Sequence, residues 1–214
     1  MADCCEEKSC AIDELRTRQG GTLKVVLGIN AVMFVVVLAA GFYASSTALL
    51  ADSLDNFGDA LTYAVSLYAA GRSTRTKGRV ALLKGALILA AAIFVIGQMV
   101  SKLLHPCVPL FEAMGSIGVL ALVANATCLA LLWKHREDDV NMSSVWECSR
   151  NDIAANIAVL VAAGLVWITN SGWPDILAGA LLAFLFLRSA ARVFRAASEA
   201  IRLEPQPARR WKQL

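Results

Sequence analysis

Apolar residues run along this chain in six blocks, each with few charges and separated by short polar joins. A helix rising 1.5 Å per residue needs about 20 residues to cross about 30 Å of hydrocarbon. The blocks at about 23–43, 48–70, 79–101, 111–133, 144–168 and 173–196 are therefore predicted to be transmembrane helices. Continuous apolar stretches such as Ala90–Gly97 and Leu177–Leu187 exclude barrel strands, which alternate apolar and polar positions. The first block carries no charge from Val25 to Gly41 and is followed by five more, so it does not read as a cleaved signal. The pattern predicts an all-α polytopic membrane protein: an amino-terminal arm over 1–22, a six-helix domain over 23–196 and a short tail over 197–214.

Composition agrees with the pattern. Of 214 residues 57% are apolar and 17% charged, against about 45–50% and about 25% in soluble domains, so much of the surface must face lipid. The net charge of +3 leaves no footprint for nucleic acid, and the placement of charge says more. Lys8, Arg16, Arg18 and Lys24 precede the first block; Arg72, Arg75, Lys77 and Arg79 join the second to the third; Lys134 and Arg136 join the fourth to the fifth; Arg188 to Lys212 close the chain. The opposite joins hold Lys102 alone, with Trp167 and Trp173 as interfacial anchors. Basic residues stay on the cytoplasmic side, so both termini are expected there. Cys4, Cys5, Cys10, Cys107, Cys128 and Cys148 form no disulfide framework, and free thiols invite soft metals.

Three carboxylates stand where lipid would exclude them. Asp52, Asp55 and Asp59 lie in the second block, and one Asp at the centre of a spanning helix costs about 2.5–3.5 kcal/mol on insertion scales. Their spacing of i, i+3, i+7 puts all three on one stripe, facing the bundle. Like charges this close need a cation or protons between them. In the fifth block Cys148 and Asp152 are i, i+4 neighbours and share a face. Two helices each offering a pair make a four-donor set in which carboxylates join one thiolate, suited to zinc or a softer divalent ion rather than to magnesium or calcium.

The stretch Ser46-Thr-Ala48-Leu-Leu-Ala51-Asp52-Ser-Leu-Asp55-Asn-Phe-Gly-Asp59, with Cys148-Ser-Arg-Asn-Asp152, resembles the paired signatures of the cation diffusion facilitator family of divalent metal/proton antiporters. Further likeness lies in Gly118–Asn125, in the Asp-Asp-Val-Asn141 approach to the fifth block and in Trp173-Pro-Asp175. The resemblance implies that Asp55, Asp59, Cys148 and Asp152 hold the transported ion, and that Asp52 and Asp175 are structural acids near the outer ends. It also implies export of zinc- or cadmium-class cations against protons, with no resident cofactor; a homodimer held through the spans in a bacterial inner membrane is expected, and the Cys148 thiolate extends the expected ions to softer ones such as lead and mercury. The chain departs from the family at three points. Cys148 stands where the family carries His; the chain has only His105 and His135, without the usual His-rich loop; and it stops at Leu214 without the usual carboxy-terminal domain.

Other residues carry weaker expectations. Cys4, Cys5 and Cys10 beside Asp3, Glu6 and Glu7 read as a soft-ion capture arm or an unstructured tail; Lys84 as snorkelling to the cytoplasmic face; Arg150 as meeting a headgroup or loop acid; Asn125 as interhelical glue; Cys128 as packing. Gly115, Gly118, Gly164 and Gly179 read as close-approach positions serving a dimer. No phosphate-binding loop supports ATP-driven pumping. Two classes rival transport. An intramembrane aspartyl protease would use two aspartates on facing helices, although Asn56 stands where its Gly-x-Gly-Asp signature has glycine; a membrane metal sensor would bind without counterflow.

Overall fold

The computed structural model describes residues 4–69, 74–133 and 142–202, with side chains given essentially over 21–65, 85–132 and 152–188. Six helices follow in order: α1 (Cys4–Tyr43), α2 (Thr47–Ala69), α3 (Thr74–Leu104), α4 (Phe111–Trp133), α5 (Met142–Thr169) and α6 (Trp173–Arg202). The six predicted spans are thus all helical. The boundaries move outward where polar residues prolong the helix past the apolar block. Most notable is α1, which begins at Cys4, so the backbone of the arm is continuous with the first span. The side chains of Cys4, Cys5, Cys10, Lys84 and Arg150, the residue His135 and the tail beyond Arg202 lie outside the described residues.

The bundle has an apolar core but, unlike a soluble protein, an apolar outer surface as well. Ile157, Val161, Leu165 and Ile168 form an exposed stripe on α5, and Leu177, Leu181 and Phe184 do the same on α6. Asn30, Thr47, Asp52, Asn56, Asn156 and Asp175 are buried instead. Large side chains outward at helical spacing and polar groups inward is the arrangement that hydrocarbon requires. Segments of α1, α3, α4 and α5 are long and apolar enough to cross a membrane on composition alone. The chain is a multi-pass membrane protein.

Packing pairs α1 with α2, α3 with α6 and α4 with α5, and α2 also touches α3, α5 and α6, so it is the most central helix. The turns 43–47, 104–111 and 169–173 gather at one end of the bundle. There Leu110 N–H donates to the Ala44 carbonyl at 3.0 Å, and a Cβ on Gly172 would stand 2.6 Å from the Cys107 carbonyl oxygen. At this short-turn end α1 closes with Ser46 N–H donating to Gly41 O at 2.8 Å and Ser45 N–H to Phe42 O at 3.1 Å. That double pattern satisfies the last carbonyls of a helix and needs a left-handed residue between; Ser45 supplies it at φ 50°.

The start of α2 accounts for every orphan donor. Ser46 Oγ accepts from Leu49 N–H at 3.1 Å as an ordinary amino-terminal cap. The next two donors are taken by a residue far away in sequence: Thr47 N–H reaches Asp175 Oδ2 at 2.8 Å and Ala48 N–H reaches Asp175 Oδ1 at 3.0 Å. Ser46 Oγ and Thr47 Oγ1 also donate to the same carboxylate, at 2.5 and 2.7 Å. Lys102 Nζ approaches it at 2.9 Å. One buried acid therefore locks the ends of α2, α3 and α6 together.

Close approach decides two glycines. A Cβ on Gly179 would lie 3.0 Å from the backbone of Thr47, where α2 and α6 touch, and one on Gly118 would meet Leu160 at 2.9 Å. Both therefore serve contacts within the chain, which corrects the expectation that they serve a dimer; Gly115 and Gly164 meet nothing within 4 Å.

Candidate metal transport site

α2 carries Asp55 and Asp59 half-buried on one face, one turn apart, and α5 carries Asp152 half-buried. None of the three is without an interacting partner. Cys148 lies in α5 one turn before Asp152, and its side chain is outside the described residues. Among the described residues no three His, Cys, Asp or Glu side chains already form a closed metal cluster. The two helices pack on one another, and Asp52 stands within electrostatic reach of Asp152 across that contact. α2 leaves the short-turn end and α5 runs toward it, so the two helices are antiparallel.

The two acids expected to be structural behave differently. Asp175 is one, with its carboxylate surrounded by donors. Asp52 is 1% exposed, and among the described residues neither of its carboxylate oxygens has a hydrogen-bond partner. The reason is position along the helix. Asp52 lies past the first turn of α2, where backbone N–H groups are already bonded within the helix, so nothing local can cap it.

Two asparagines share this condition. Asn56 Nδ2 donates to the Asp52 backbone carbonyl at 3.4 Å, and Asn156 Nδ2 donates to that of Asp152 at 2.9 Å. In both, the side-chain oxygen is buried without a protein donor. Each such acceptor costs about 1–3 kcal/mol if left unsatisfied. The sequence showed Asp-x-x-x-Asn on both helices, a pattern that could have flagged them.

Two readings of α4 exchange roles. Among the described residues Asn125 Nδ2 finds no acceptor, so it is not the expected glue. Asn30 of α1 performs that task, donating to Val26 O at 2.9 Å and to Cys128 Sγ at 3.7 Å. Cys128 is buried at 6% exposure beside Leu23, Val26, Tyr63 and Leu132, as a packing residue would be.

Six helices with an apolar outer surface, carboxylates on α2 and a further acid on α5, which packs against it, define a polytopic membrane protein with acids inside its bundle. A profile of the cation efflux transmembrane domain matches residues 23–201, and the chain belongs to that family. It is 24% identical over 187 residues to a cadmium, cobalt and zinc/H(+)-K(+) antiporter of Bacillus subtilis (strain 168), covering 79% of this chain and 60% of the relative. It is 25% identical over 188 residues to the zinc transporter ZitB of Yersinia pestis, covering 81% of this chain and again 60% of the relative. The chain thus spans less than two thirds of the length of the curated relatives it matches.

Proposed function

We propose that the protein exports divalent cations of the zinc and cadmium class from the cytoplasm, extending to softer ions, in exchange for protons. The observation that supports this is that α2, carrying Asp55 and Asp59, packs against the antiparallel α5, carrying Asp152, inside a domain of the cation efflux family. Cys148, one turn from Asp152, completes a four-donor set with Asp55, Asp59 and Asp152. With both termini cytoplasmic, the ion enters from the end opposite the short turns. Its double charge displaces protons from the carboxylates and the thiol. Opening toward the short-turn end then lets protons from that side compete the ion off and return.

A likeness to cadmium-, cobalt- and zinc-named antiporters supports this substrate class. Membership of the cation efflux family argues against the protease reading, because aspartates alone serve either chemistry. The test is reconstitution in vesicles with a pH-sensitive dye inside, adding zinc, cadmium, lead, mercury, cobalt and manganese one at a time. Metal uptake coupled to proton release supports the proposal. Metal binding without counterflow would instead make the protein a sensor.

A further inference from the structure

Asp52, Asn56 and Asn156 form a set with an unusual chemistry: they present acceptors without a donor. Both Asp52 oxygens, Asn56 Oδ1 and Asn156 Oδ1 are buried with no hydrogen-bond partner among the described residues. The three residues are 1%, 1% and 0% exposed. The amide orientations are fixed by chemistry. Each Nδ2 donates to the backbone carbonyl four residues earlier, and exchanging nitrogen for oxygen would set two oxygens against each other. The free oxygens therefore point away from their own helices.

Their placement is also specific. Asp52 lies nearly one turn from Asp55 toward the short-turn end, and Asn156 lies one turn from Asp152 in the same direction, because α2 and α5 run antiparallel. Asp52 is in electrostatic reach of Asp152 across the same helix contact. Asp52 and Asn156 thus lie on the short-turn side of the proposed transport acids, and Asn56 lies one turn along α2 from Asp52, between Asp55 and Asp59.

We infer that Asp52, Asn56 and Asn156 form a second cation site, all oxygen in its donors, for a hard monovalent ion of the alkali class. Two of its three residues are uncharged, so it suits a single positive charge. The lack of sulfur or imidazole among them separates it from the softer set at Asp55, Asp59, Cys148 and Asp152. An ion there offsets the charge of Asp52 and satisfies acceptors that no protein donor reaches.

The test needs no transport and no divalent metal, so it is independent of the proposed function. The full chain is purified in mild detergent with chelator, and melting is followed in potassium, sodium or N-methyl-D-glucamine chloride at equal ionic strength. Binding of radioactive rubidium is measured in parallel. Potassium or sodium should raise the melting temperature saturably, with one rubidium bound per chain, and Asn156→Leu should weaken that binding at least about tenfold. If Asn156→Leu does not fold, Asn156→Asp decides: it keeps both oxygens and adds charge, so affinity should rise. Equal melting in all three salts with no bound rubidium would mean that the oxygens are hydrated or that Asp52 is neutral, and overturns the inference. In a separate arm without chelator, stabilisation by zinc or cadmium where potassium and sodium give none overturns it too, since the cluster would then be an extension of the transport site.

Discussion

Asp175 Oδ2 and Lys102 Nζ stand 2.9 Å apart, with the carboxylate wholly buried and the Lys102 side chain 11% exposed. The same carboxylate takes the first two N–H groups of α2, so this pair lies at the junction of three helices. Removing the acid strands an ammonium and two backbone donors at once, whereas removing the base leaves the acid four other donors.

Asp175→Ala should therefore destabilise the fold by about 3–5 kcal/mol, the cost of breaking a buried pair by deleting one partner. Lys102→Met should cost clearly less. Melting of the two variants in mild detergent measures the difference, and equal losses would show that the helix-capping bonds contribute little.

Asp55→Ala, Asp59→Ala and Asp152→Ala should each abolish transport while the chain still reaches the membrane. Losing a partner of a metal ligand already costs about 10–100-fold, so losing a ligand should cost at least that. Vesicle flux, normalised to protein by blotting, checks this, and wild-type flux in Asp59→Ala would show that the site lies elsewhere.

Selectivity should depend on Cys148. A thiolate is softer than imidazole, so cadmium, lead and mercury should gain on cobalt and manganese, while the three carboxylates keep zinc acceptable. Cys148→His should move the profile toward zinc, and Cys148→Ser should depress cadmium flux most. The thiol must lose a proton to bind, from an unperturbed pKa of about 8.5. Flux should therefore weaken as the pH on the loading side falls, less steeply in Cys148→Ser. An unchanged cadmium-to-zinc ratio in that variant returns Cys148 to a packing role.

Gly179→Ala should destabilise by about 1–3 kcal/mol, because its new methyl meets the Thr47 backbone at 3.0 Å, and backbone cannot rotate aside. Gly28→Ala, with nothing within 4 Å, should be neutral or slightly stabilising through helix propensity. Melting curves of the pair decide whether the α2–α6 approach is as tight as described.

The proposed homodimer should appear as a doubled mass in nanodiscs at native-like lipid content. Gly115 and Gly164, open to the surface, are the small residues left for it. A strict monomer with full flux would reject this.

The sequence by itself determined what a single helix can encode. Block length and hydropathy gave six spans, and a period of 3.6 residues put Asp52, Asp55 and Asp59 on one stripe of α2 and Cys148 with Asp152 on one face of α5. These are relations between residues three to seven apart, fixed by helix geometry whatever the neighbours do. The tertiary structure alone decided everything that joins one helix to another. Asp175 caps a helix 128 positions away, Asn30 rather than Asn125 binds across helices, and Asp52, alike in sequence to its neighbours, is sealed in without a donor. Such pairings depend on how each helix is rotated and shifted against the next, and in lipid no hydrophobic force between helices sets that register. Close approach at small residues such as Gly118 and Gly179, and the need of each buried polar atom for a partner, set it instead.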